Sequence, residues 1–60
     1  MAKNMKPYEG WLLVKTNIVH RRTVSYELRD PKDPNAKHMV VYAKEGYIDA
    51  NGVFHYYKDR

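Results

Sequence analysis

A chain of 60 residues, 43% hydrophobic and 30% charged, has room for one small globular domain and is too apolar for a disordered tail. The absence of cysteine excludes disulfides and thiolate metal sites, and the opening MAKNMKPYEG lacks the apolar stretch of a secretory signal, so a cytoplasmic location is expected. The net charge of +4 is uneven: residues 1 to 30 hold six Lys and Arg against three acids, and residues 31 to 60 hold five against four, a bias toward acidic partners.

In chain order, residues 1 to 10 read as a polar arm interrupted by Pro7 and Gly10, and residues 11 to 60 as a single β domain. WLLVKTNIV is rich in β-branched and large apolar residues and predicts a first strand, with Leu12, Val14, Thr16 and Ile18 on one side. RTVSYELR alternates with period two. Val24, Tyr26 and Leu28 fall on one face and Thr23, Ser25, Glu27 and Arg29 on the other, the pattern of a half-buried antiparallel strand. DPKDPNAK is the longest loop, because two Asp-Pro steps remove amide donors and push the preceding residues out of helical space.

HMVVYAK predicts a third strand, and EGYIDANGVFHYYK a terminal hairpin. In that hairpin Asp49, Asn51 and Gly52 supply the turn, a type I turn closing on Gly52 in left-handed geometry. No 11-residue window carries the helical apolar spacing. The fold class expected is all-β: a small antiparallel meander of four to five strands, as a curled sheet or an SH3-like mini-barrel.

Chemistry-bearing residues are present without a catalytic motif. His20, His38 and His55 form no His-x-His or His-x3-His pair, so neither a metal nor any other cofactor is expected. Ser25 lies in a strand rather than on a nucleophile turn, and Gly10, Gly46 and Gly52 are too far apart to cradle a phosphate. A ribonuclease toxin could draw on His20, Arg21, Arg22, Tyr26, Glu27 and His55, but any basic chain of this composition offers the same residue types. The aromatic segments KEGYID and GVFHYYK lack the glycine between aromatics found in RNA-recognition strands, and Asp49 sets a negative charge beside them.

Between Glu9 and Glu27 there is no carboxylate, while Lys15, His20, Arg21 and Arg22 all fall in that interval. The segment TNIVHRRTV joins the first two strands, so His20, Arg21 and Arg22 belong near a hairpin tip, with Lys15 and Arg29 lower on the ribbon. Six tyrosines are many for this length. Alternation separates Phe54 and Tyr56 from His55 and Tyr57, so one set fills the core and the other covers a surface, with Tyr57 and Tyr42 the candidates for an exposed patch.

The function expected is that of a non-catalytic module. It contacts a DNA or RNA backbone through Lys15, His20, Arg21, Arg22 and Arg29, with Tyr42 and Tyr57 adding stacking. The alternative is a protein-interaction module, such as a phage or mobile-element accessory protein docking on an acidic surface of a host protein. No membrane partner is expected, because WLLV and MVVYA fall far short of the ~20 apolar residues that span a bilayer. A chain this short buries only about 60% of its unfolded surface, so a homodimer through the outer strand VFHYY is a further expectation.

Overall fold

A computed structural model describes residues 6–58. Five strands follow one another: β1 (Leu12–Val19), β2 (Arg22–Arg29), β3 (Met39–Tyr42), β4 (Gly46–Ile48) and β5 (Phe54–Tyr56), with a 3-10 turn at Ala43–Glu45 between β3 and β4. The fold is all-β and every strand pairing is antiparallel. One sheet has the order β1-β2-β3 and the other is the β4-β5 hairpin. A bridge between Leu12 and Val53 joins the two sheets on one side. On the other side β3 and β4 do not pair, so the meander curls without closing into a strand-paired barrel.

The core lies between the sheets and is small. Leu28 and Phe54 are wholly buried and Val41 nearly so, with Tyr8, Trp11, Leu13, Tyr26, Ile48 and Tyr56 packed around them. Opposite residues in a ladder share a face, so the pairing of Leu13 with Leu28 and of Tyr26 with Val41 puts these four side chains on the inner surface. Phe54 is held edge-on against Tyr56 at 4.9 Å and lies 6.0 Å from Tyr26.

The expected facing of β1 needs correction. The register jumps between Leu13 and Lys15 and again between Asn17 and Ile18, which leaves Val14 on β1 and Val24 on β2 as extra residues. A bulge inserts one residue and reverses the alternation beyond it. Leu13 therefore takes the inner position expected of Leu12 and Val14, while Thr16 keeps its place opposite Tyr26. Both bulged valines are exposed, so Val24 leaves the inner face that Tyr26 and Leu28 share. Ser25, on the polar face of β2, is only 7% exposed between Asn17 and Tyr42 of the flanking strands, and its hydroxyl accepts from Asn17 Nδ2 at 3.0 Å.

The DANG turn forms as its residues dictate. Gly52 N–H donates to Asp49 O, Asp49 N–H donates to Val53 O, and Gly52 has φ +80°. Asp49 Oδ1 also accepts from Asn51 and Val53 N–H. Residues 6 to 10 form a turn that docks on β5: Gly10 N–H donates to Phe54 O, and Phe54 N–H donates to Trp11 O, both at 2.8 Å. This corrects the expectation that VFHYY is a free outer strand for self-pairing, since its outer edge is already covered. β3 is bordered by β2 alone.

Candidate functional site

The β1-β2 hairpin closes with a two-residue loop, Val19 opposite Arg22, so His20 and Arg21 are the whole turn. Both have positive φ, 51° and 65°, the signature of a type I′ turn. That turn matches the twist of the strands and is normally built from Asn-Gly, because a Cβ in left-handed backbone costs roughly 1–2 kcal/mol per residue. Here the cost is borne by an imidazole and a guanidinium. Pairing along eight residues of each strand leaves no slack for a looser loop.

The distal half of this hairpin stands clear of the body. β3 pairs with β2 only from Ser25 to Leu28, and every residue from Ile18 to Val24 is exposed. Ile18 occupies the inner phase of β1 yet is 62% exposed, because the core does not reach it. The two bulges add local twist to the ribbon. The result is a two-stranded ribbon that projects beyond the sheet, flanked at its base by the Ala43–Glu45 turn and tipped by His20, Arg21 and Arg22, with aliphatic Ile18 and Val19 behind them.

Of the other residues expected at the interface, Tyr42 joins this region and three do not. Tyr42 ends β3 opposite Ser25 and lines a recess of about 360 Å³ at the base of the ribbon, with Thr23, Val24, Ala43 and Lys44. Lys15 lies halfway down the ribbon directly across from a carboxylate, Glu27, which bonds His38 Nδ1 at 2.8 Å. Arg29 pairs with Leu12 at the end opposite the tip. Tyr57 follows β5 on the other sheet, beside Tyr47.

A second polar cluster was not foreseen from spacing. His55 on β5 lies between two carboxylates: Nδ1 is 2.6 Å from Glu9 Oε2 and Nε2 is 2.8 Å from Asp49 Oδ2. Only an imidazolium donates from both nitrogens. The bond to Asp49 and then the bond to Glu9 raise the His55 pKa above its ordinary value. Tyr56 N–H, donating to Glu9 Oε1 at 2.8 Å, lowers the Glu9 pKa, with His55 assisting. Val53 N–H does the same for Asp49, again with His55 assisting. The cluster clasps the N-terminal turn to the hairpin.

This geometry bears on the chemistry the residues can do. The two acids flank opposite edges of one ring, so they cannot converge on a cation, and among the described residues no three His, Asp or Glu side chains form a metal-holding group. His20 is in the β1-β2 turn, Glu27 is paired with His38, and both His55 nitrogens are engaged, so the residues considered for RNA cleavage are dispersed. No helix among the described residues is long and apolar enough to cross a membrane. Comparison with protein-family models, curated proteins and solved structures finds no match to this chain.

Proposed function

We propose that the chain is a small, non-catalytic nucleic-acid-binding module acting in the cytoplasm, with the β1-β2 ribbon as its contact to the phosphate backbone. The observation that carries this reading is the turn: two chemically expensive residues, His20 and Arg21, hold left-handed backbone at the tip of a projecting ribbon. Strain of this kind persists where the side chains are needed. A two-stranded ribbon is narrow enough to enter a duplex groove or follow a backbone, and Arg21 and Arg22 supply cations that phosphates recognise.

The test is the salt dependence of binding. Each phosphate contact displaces condensed counterions, so log affinity falls with log salt by about 0.9 per contact on duplex DNA and about 0.7 on single strands. Replacing Arg21 and Arg22 together by alanine is expected to flatten the slope by about 1.5 to 2 units and to weaken all sequences alike. An unchanged slope and affinity would remove the tip from the interface.

A second reading has its own observation. The outer face of the three-stranded sheet exposes Val40 and Tyr42 beside Lys15 and Glu27, a mixed apolar and charged surface suited to docking on a protein, such as a host protein met by a mobile-element accessory factor. Affinity capture with and without nuclease separates the two. Partners lost after nuclease support nucleic acid; one stoichiometric protein that survives it supports docking.

A further inference from the structure

The β4-β5 hairpin has an inner and an outer face, and its outer face is built of rings. Tyr47 pairs with His55 across the ladder, and Tyr57 lies two residues beyond His55 in the same phase. The ring centroids of Tyr47 and His55 are 5.5 Å apart with planes tilted by 35°, and those of Tyr47 and Tyr57 are 5.7 Å apart with planes tilted by 33°. These three rings form a shallow, continuous row on the side away from Phe54. Tyr47 is 45% exposed and Tyr57 52%, so both rings are about half accessible from solvent.

The row lies in a recess of about 530 Å³ rimmed by Lys6, Glu9, Tyr56 and Lys58, within the roughly 300–1,000 Å³ range of small-ligand sites. Lys6 Nζ lies 3.5 Å from Tyr57 O and 5.4 Å from the centre of the Tyr56 ring, which places an ammonium group at the rim. Glu9 would repel an anion, but its two oxygens are taken by His55 and by Tyr56 N–H. Asp49, whose charge argued against this surface in the sequence, is likewise held by His55 and by the backbone of its own turn. The two carboxylates share one imidazolium, which leaves a single net negative charge beside the two ammonium groups of Lys6 and Lys58.

We propose that this recess is a second binding site, taking an unpaired nucleobase stacked on Tyr47 and Tyr57 with its phosphate against Lys6 and Lys58. The inference rests on the nucleic-acid reading above and adds to the ribbon's backbone contact a preference for strands with unpaired bases. Flat open rings accept any base by its π face, whereas a base pair in a duplex has both faces already stacked. The amine rim selects for the phosphate over an uncharged aromatic group. The ribbon tip and the ring row belong to different sheets, so they contribute separately.

The experiment compares binding of a fluorescent 12-nucleotide oligothymidine and a 12-base-pair duplex by the wild type, by Tyr47→Ala/Tyr57→Ala and by Tyr47→Phe/Tyr57→Phe, each checked for folding by circular dichroism. The alanine variant is expected to lose about tenfold or more on oligothymidine, with duplex affinity unchanged, and the phenylalanine variant to retain wild-type affinity for both. Oligothymidine binding that survives the alanine changes, or a loss that is equal on both probes, overturns the ring-row site while leaving the nucleic-acid reading intact. Failure of the wild type to bind either probe overturns both.

Discussion

The two hairpins solve the same geometric problem with opposite chemistry. At β4-β5 every part of the turn is satisfied: Gly52 takes the left-handed position, Asp49 accepts two backbone amides, and its second oxygen reaches His55. At β1-β2 a tighter turn is made without glycine or asparagine, and both left-handed residues carry long or bulky side chains, an imidazole and a guanidinium. One turn follows the preferences of its residues. The other departs from them at the tip of the ribbon, and the proposed contact with phosphate is the reading that would account for it.

Changes to glycine in the satisfied hairpin should break it most severely. A Cβ on Gly46 would collide with the backbone oxygen of His55 and come within 2.7 Å of the Phe54 ring and 2.8 Å of Tyr56 Cα. Backbone cannot yield as a side chain can, so Gly46→Ala is expected to cost about 3 kcal/mol or more in urea unfolding. Gly52 has open space around it but a φ of +80°, so Gly52→Val should cost roughly 1 to 3 kcal/mol from conformational strain alone. Equal tolerance of both changes would show that the hairpin is not held as tightly as its geometry implies.

The converse change sharpens the comparison. Giving β1-β2 the residues its turn prefers, His20→Asn with Arg21→Gly, is expected to stabilise the fold by about 1 to 2 kcal/mol. For a domain of this size that is a rise in Tm of roughly 4–8 °C per kcal/mol. Nucleic-acid affinity should fall in the same variant. A more stable protein that binds as well as the wild type would mean that the strain serves no contact.

The smallest expected effect is a pH dependence set by the cluster on the β4-β5 side. Glu9 and Asp49 are held below their ordinary values of 4.5 and 3.8, so their contribution is present above those values and is lost as pH falls. His55 is held above its ordinary 6.5, so its contribution is complete below that value and is lost as pH rises through its folded pKa. The clasp is therefore strongest between about pH 4.5 and 6.5. The Tm should peak on the acidic side of neutrality, and His55→Gln should flatten its decline toward alkaline pH.

Much of the fold was legible because strands announce themselves by local chemistry. Alternation in RTVSYELR marked the inner positions of Tyr26 and Leu28, and DANG marked its own turn. The bulges were not legible, since Val14 and Val24 look like ordinary inward residues and only the cross-strand register shows that each is surplus. The HRR tip was readable as a turn but not as a strained one, because backbone angles follow from loop length rather than from residue type. Lys15 and Arg29 lie lower on the ribbon, as expected, but the register sets Lys15 opposite Glu27 and carries Arg29 to the end away from the tip. The Glu9-His55-Asp49 cluster left no local signal: Glu9 and His55 are 46 positions apart and meet only through the fold.

That separation also orders assembly. The β1-β2 ribbon needs only its two-residue turn to begin pairing, whereas docking Gly10 on Phe54 must bring nearly the whole chain into a ring, and the entropy lost in drawing a loop shut rises with its length. The ribbon is therefore expected to form early and the N-terminal turn to fasten late. Substitutions at Glu9 should then leave the folding rate almost unchanged and appear instead as faster unfolding, because their contacts are absent from the transition state. In the native protein the same turn would be the first part to let go, baring the edge of β5 in brief openings while the rest of the sheet stays paired.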